Sequence, residues 1–208
     1  MRNSNLRLVT PRHIFGPVTR GWPPQRLPDT KARKHLTEAE VALLMQAAKA
    51  NRQAHRDATM VQVAFRHGLR VSELVALTWD QVDFRRSTLH VNRRKGGTPA
   101  THPIPGDELR ALRRLKREQA PPAKFIFTSE HGAPFAEGGF RTVVARLGRA
   151  AGISFRVHPH MLRHACGFAL ANAGHDTRSI QAYLGHCSIQ HTVKYTELSP
   201  ERFKNFWR

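Results

Sequence analysis

A chain of 208 residues has room for one or two domains and a real hydrophobic core. Its 34 Lys+Arg against 15 Asp+Glu give a formal net charge of +19, a self-repulsion that a polyanion relieves, so nucleic acid is the leading partner and anionic membrane the weaker one. Two cysteines rule out a disulfide framework, and no apolar run approaches the roughly 20 residues that a bilayer-crossing helix needs.

Residues 1–35 are basic and interrupted by Pro11, Pro17, Pro23, Pro24 and Pro28, without sustained period, and read as a flexible, extended arm or linker, either simply disordered or tracking DNA phosphates. There is no apolar leader segment in them. Regular structure begins at Leu36. Thr37 and Glu40 have the spacing of a capping box and Leu36 with Val41 that of a hydrophobic staple, which predicts a helix to about Ala50. A second helix is expected from about Ala54, with Met60, Val61, Ala64 and Phe65 inward and Gly68 ending it. The next segment, Gly68 to Leu77, reads as a turn entering a short helix capped by Ser72 or its predecessor. Arg70 then stands beside a helix N-terminus, with Glu73 one turn on to hold its guanidinium.

From Ser87 to Ile104 the hydrophobic period changes to two, and Gly96-Gly97 marks a turn, which predicts a β-hairpin tipped by Arg93, Arg94 and Lys95. A helix from Pro105 to about Gln119, a short strand over Lys124–Thr128 and a helix from about Glu137 to Ala151 follow. Residues 160–173 read as a helix opened by Pro159, with His160 and Arg163 on one face. Asp176 or Thr177 caps the next, Gly185 stops it before His186, and a last short helix carries Tyr195. The expected fold class is mainly α with a small antiparallel β-sheet: one folded domain over 36–208 behind the arm.

Imidazole, guanidinium and phenol in this order are the groups that phosphoryl transfer without a metal requires. A phenol can attack phosphorus, while Arg and His hold the charge that develops on the phosphate oxygens. The set Gly68-Leu69-Arg70-Val71-Ser72-Glu73-Leu74, a lysine in a β-turn, His160-x-x-Arg163, Leu184-Gly185-His186 and Tyr195 resembles the catalytic pattern of the tyrosine recombinases, the phage integrase family. The resemblance covers about 36–200. Within the family, the stretch His158 to Asn172 looks most similar to the short recombinases that invert the type 1 fimbrial promoter.

This resemblance implies the recombinase catalytic-domain fold and site-specific cutting and rejoining of DNA through a 3′-phosphotyrosine, possible without ATP, metal or other cofactor. It implies Tyr195 as nucleophile, Arg70, Arg163 and His186 on the nonbridging oxygens, Lys95 as general acid, His160 as base and Glu73 in support of Arg70. Arg93, Arg94 and Lys194 are expected to touch DNA. The implied partners are double-stranded DNA, a homotetramer on paired sites (monomer or dimer when free) and DNA-bending accessory proteins, in a bacterial cytoplasm at the nucleoid. Family members usually carry a further N-terminal helical domain. Here the arm stands in for it, or oligomerisation and accessory proteins supply the affinity. Phe203, Phe206 and Trp207 in the tail pack on their own core or dock on a neighbouring protomer. Three other readings stay open: a non-catalytic DNA-binding regulator, a relaxing topoisomerase of similar chemistry, and a metal site on His158, His160 and His164 with Cys166.

Overall fold

The computed structural model of the protein describes residues 35–93, 96–119 and 122–197. The arm up to residue 34, Arg94, Lys95 and the aromatic tail at Phe203, Phe206 and Trp207 lie outside the described residues.

Eight α-helices and three short strands are found among the described residues. Thr37 caps α1 (Glu38–Ala48) with the anticipated box: Glu40 N–H donates to Thr37 Oγ1, and Thr37 N–H donates to Glu40 Oε2. The fold is built around α2 (Ala54–Arg66), which packs on α1, on α4 (Gly106–Glu118) and on α6 (Pro159–Asn172). Its Met60, Val61, Val63 and Ala64 are buried, and α5 (Glu137–Ala150) adds Phe140, Val143, Val144 and Leu147 to the same core. Each large aliphatic side chain so buried contributes about 1.5–3 kcal/mol, which is what holds α2 in the middle.

The helix α3 (Val71–Val75) is capped at Arg70, one or two residues earlier than Ser72 or its predecessor. The reason is Glu73: at the third helical position its carboxylate reaches back to the Arg70 N–H, and that reciprocal contact sets the boundary. Strands β1 (Val82–Asp83), β2 (Thr88–Val91) and β3 (Ala100–Pro103) form an antiparallel sheet in that order, with Val91 opposite Ala100. The expected hairpin is therefore present, and β1 adds an edge that the sequence reading did not anticipate.

The run Lys124–Thr128 is not a strand. It makes two isolated bridges, Thr78 to Phe125 and Thr128 to Pro134, while Ile126 and Phe127 fill the core. Its apolar composition answers to burial, and among the described residues its pairing stops at those two bridges.

A second, smaller cluster holds Cys166 and Ala171 of α6, Ile180 and Leu184 of α7 (Thr177–Leu184), and Tyr195 of α8 (Gln190–Glu197). Asp176 caps α7 by accepting from the Arg178 and Ser179 N–H groups. Gly185 ends it in the left-handed conformation at φ +64°, where a side chain would be strained and its Cβ would crowd the Thr98 carbonyl at 2.8 Å. No helix among the described residues is long and apolar enough to cross a membrane.

Candidate active site

Arg70, His160, Arg163, His164, His186, His191, Lys194 and Tyr195 line one cleft of about 310 Å³. Five of the six residues picked from the sequence for the chemistry thus converge from α3, α6, the turn after α7 and α8. The sixth, Lys95, falls outside the described residues. A neighbouring groove shares Arg70 and His160 and runs on past His158 to Arg141.

The floor of the cleft is an arginine cluster organised by one carboxylate. Glu73 is 3% exposed. Its Oε1 accepts from Arg70 Nη1 at 2.7 Å, its Oε2 accepts from Arg93 Nη1 at 3.0 Å, and Arg163 Nη1 stands 3.9 Å from Oε2. Burial works against the charge of Glu73. The Arg70 N–H and the Arg93, Arg70 and Arg163 guanidiniums outweigh it and hold its pKa below the ordinary carboxylate value. Instead of an exposed Arg–Glu pair of little consequence, the motif is a buried junction for three guanidiniums.

Arg163 is 1% exposed. It donates to the Gly68 carbonyl and, at 2.8 Å, to the Leu184 carbonyl, which fixes its fork between the end of α2 and the end of α7. Burial first, then Arg70 and Arg93, lower its pKa to about 10, so it remains a cation at neutral pH. A cation held in this way has its donors already oriented before any anion arrives.

Arg93 requires a correction. Expected at a solvated hairpin tip touching DNA, it has a fully buried side chain. Its donors go to Glu73, to the His67 carbonyl at 3.0 Å, the Gly68 carbonyl at 3.3 Å and the Tyr183 carbonyl at 2.6 Å, leaving none for a phosphate beyond the buried, unpartnered Nε. The sequence carried a sign of this: Arg93 continues the inward register of Leu89 and Val91. Lys194 is exposed on the cleft wall, its Nζ 5.1 Å from the centre of the Tyr195 ring.

Tyr195 of α8 is 1% exposed and packs against α6. Gly167 makes room for it: a Cβ there would fall 2.6 Å from the ring. Phe168 meets the ring edge-on at 5.1 Å, and the hydroxyl is 2.9 Å from His164 Nδ1. Burial pushes the phenol up to about 12. His186 Nδ1 is 2.8 Å from Thr192 Oγ1, and burial followed by Arg163 and Arg70 drives its pKa down to about 3, so the ring is neutral in the free protein. His160 is exposed at the rim, edge-on to the His164 ring with centroids 4.4 Å apart, and its pKa is lowered by burial and then by Arg163.

From the sequence alone, His164 enters only the metal-site alternative with His158, His160 and Cys166. Among the described residues no cluster of three or more His, Cys, Asp or Glu is arranged to hold a metal ion. The i, i+4 spacing of His160 and His164 was the available signal that both face the same cleft.

Residues 34–202 match the family model described as "Phage integrase family". The type 1 fimbriae regulatory protein FimB of Escherichia coli (strain K12) is 40% identical over 183 residues, 86% of this chain and 92% of FimB. Tyrosine recombinase XerD of Pseudomonas putida (strain KT2440) is 34% identical over 178 residues, 82% of this chain and 59% of XerD. The crystal structure of XerA recombinase superposes with a TM-score of 0.71 at 29% identity, covering 83% of this chain and 63% of XerA. The chain therefore spans somewhat under two thirds of XerD and XerA, but nearly all of FimB.

Proposed function

The chain belongs to the phage integrase family, and from that premise we propose that it is a site-specific DNA recombinase that cuts and rejoins strands through a 3′-phosphotyrosine. The single observation that carries this reading is the convergence of Arg70, Arg163, His186 and Tyr195 on one basic cleft.

Tyr195 Oη attacks the scissile phosphorus. Arg70 and Arg163 receive the nonbridging oxygens on rigid forks that lysine does not reproduce. His186 donates to the same oxygens, and Glu73 keeps both guanidiniums aimed. Lys95 protonates the departing 5′-oxygen, and His160, at the mouth of the cleft, shuttles the phenol's proton toward solvent. The ester conserves the energy of the broken phosphodiester, so a 5′-hydroxyl from a partner strand reverses the step.

The partner is double-stranded DNA. The net charge of +19 and the groove running from Arg70 toward Arg141 support this, with Arg94 and Lys194 as phosphate contacts. The resemblance of the stretch His158 to Asn172 to the short recombinases that invert the type 1 fimbrial promoter favours inversion of a promoter-like element as the outcome. The active assembly is a homotetramer on two sites in the bacterial cytoplasm, at the nucleoid, aided by DNA-bending proteins. The unit that folds and reacts is 36–208, with 1–35 tracking DNA phosphates.

The test starts from duplexes selected out of a random-sequence pool by the protein itself. Placed as inverted copies on a plasmid, the selected site should invert the intervening segment in chelator and without ATP, and Tyr195→Phe should bind the site but not invert it. Relaxation of supercoils without joining two sites would replace this reading with a topoisomerase, and binding without any strand cleavage would replace it with a regulator.

A further inference from the structure

The phenol of Tyr195 meets His164, not His160. The Nδ1 of His164 is 2.9 Å from the Tyr195 hydroxyl, while His160 stands outside it as the next ring toward solvent. We propose that His164 is a further catalytic residue, the imidazole that takes the Tyr195 proton as its oxygen attacks phosphorus and returns that proton when the phenol leaves. This rests on the reading of Tyr195 as the nucleophile.

The contact is built by the fold. His164 and Gly167 are one turn apart on α6, and the tyrosine ring occupies the space a Cβ of Gly167 would fill. Phe168 fixes the ring edge-on. The hydroxyl is thereby held at Nδ1 by the packing of its ring on Gly167 and Phe168. A protonated phenol donates to Nδ1, so His164 rests as the tautomer with its proton on Nε2.

The step balances. The Oη–H bond breaks toward His164 Nδ1, the Oη–P bond forms, and the P–O5′ bond breaks. The 5′-oxygen takes a proton from a separate donor, Lys95 in this reading. Imidazolium and a 5′-hydroxyl result, and religation runs each transfer backwards.

The groups facing this pair keep the proton on the phenol until DNA arrives. His160, Arg163 and Cys166 face it from α6, Lys194 from α8, His35 from the chain before α1, with Arg70 and His186 across the cleft. Burial, then His160, Lys194 and Arg163, push His164 down to about 3, and burial raises Tyr195 to about 12. A bound phosphodiester brings a negative charge among these cations and makes an imidazolium acceptable. Transfer is then concerted with attack, because the charge of the phenolate passes into a phosphorane held by Arg70 and Arg163.

The experiment measures single-turnover adduct formation on the selected duplex carrying a trapping nick, from about pH 6 to about pH 10. Wild type and Tyr195→Phe are the controls: no adduct with the first, or an adduct with the second, overturns the reading of Tyr195 and this inference together. With those controls in order, His164→Asn keeps an oxygen acceptor near the place of Nδ1 but cannot take a proton. It should react about 100-fold more slowly near pH 7, recover as pH rises, and be rescued by a fluorinated, more acidic tyrosine at 195. The wild-type rate and pH profile in His164→Asn would overturn the proposal. So would a loss indifferent to pH and to fluorination, or the same rescued defect found in His160→Asn and not in His164→Asn.

Discussion

Glu73 and Arg93 form an ion pair sealed from solvent, Arg93 Nη1 to Glu73 Oε2 at 3.0 Å with both side chains at most 1% exposed. Breaking such a pair by removing one partner costs about 3–5 kcal/mol, because the other charge is left buried and uncompensated. Glu73→Gln is therefore expected to lower the urea midpoint sharply and, through slackened Arg70 and Arg163, to slow strand cleavage on any fold that survives. Equilibrium urea denaturation followed by circular dichroism checks the first effect and adduct formation the second.

Two basic residues expected to act alike should separate. Arg93→Ala should cost stability and leave the salt dependence of DNA binding unchanged, since the guanidinium never meets solvent. Lys194→Ala should be nearly neutral for stability and reduce the slope of log K against log salt by about 0.9, one phosphate contact. Titrations of the selected duplex at several salt concentrations distinguish the two.

Gly167→Ala would put a methyl group 2.6–2.8 Å from three atoms of the Tyr195 ring. Overpacking of this kind costs about 1–3 kcal/mol and forces one of the two groups to move. Because α8 is the short, terminal element of the described fold, the tyrosine should yield first. The expected result is unchanged duplex affinity by gel shift with adduct formation reduced by at least about tenfold, a displacement of the nucleophile equivalent to about 1.4 kcal/mol of barrier.

Acid should weaken the fold from the histidines inward. His102 is 1% exposed, with its Nδ1 3.1 Å from His67 Nδ1, and burial followed by His67 and Arg93 lowers its pKa to about 3 from the ordinary 6.5. Below 6.5 the unfolded chain binds a proton that the folded one refuses, so stability is whole above that value and declines as pH falls toward about 3. The slope from this one group is up to about 1.4 kcal/mol per pH unit. Urea midpoints at about pH 7.5 and about pH 5 should diverge in the wild type, and His102→Phe should narrow the gap.

Much of the site was legible because local chemistry and chain order agreed. The Thr37–Glu40 box, the left-handed Gly185 before His186 and the His160–Arg163 face are each set within a few residues of sequence, and the structure has all three. What could not be read depends on partners far along the chain. Arg93 looked like a solvated charge because its acceptors, the carbonyls of His67, Gly68 and Tyr183, are 25 to 90 positions away. Lys124–Thr128 looked like a strand because a short apolar run reports burial before it reports pairing. His164 was overlooked because its partner, the Tyr195 hydroxyl, is 31 positions on, and only the docking of α8 on α6 brings them together. The Arg70 cap of α3 was missed for a smaller reason: a carboxylate three residues later reaches back to the N–H of the cap residue, whatever side chain that residue carries.

In the proposed reaction the Tyr195 oxygen becomes esterified to DNA. Trapping the wild-type protein on the nicked selected duplex, digesting both components and sequencing the nucleotide-bearing peptide by mass spectrometry tests it most directly. The expected product is a 3′-phosphonucleotide on Tyr195 in the peptide that follows Lys194. The modification on Tyr183, on a serine or on any other side chain would contradict it, as would a nicked duplex that binds and dissociates with no covalent product.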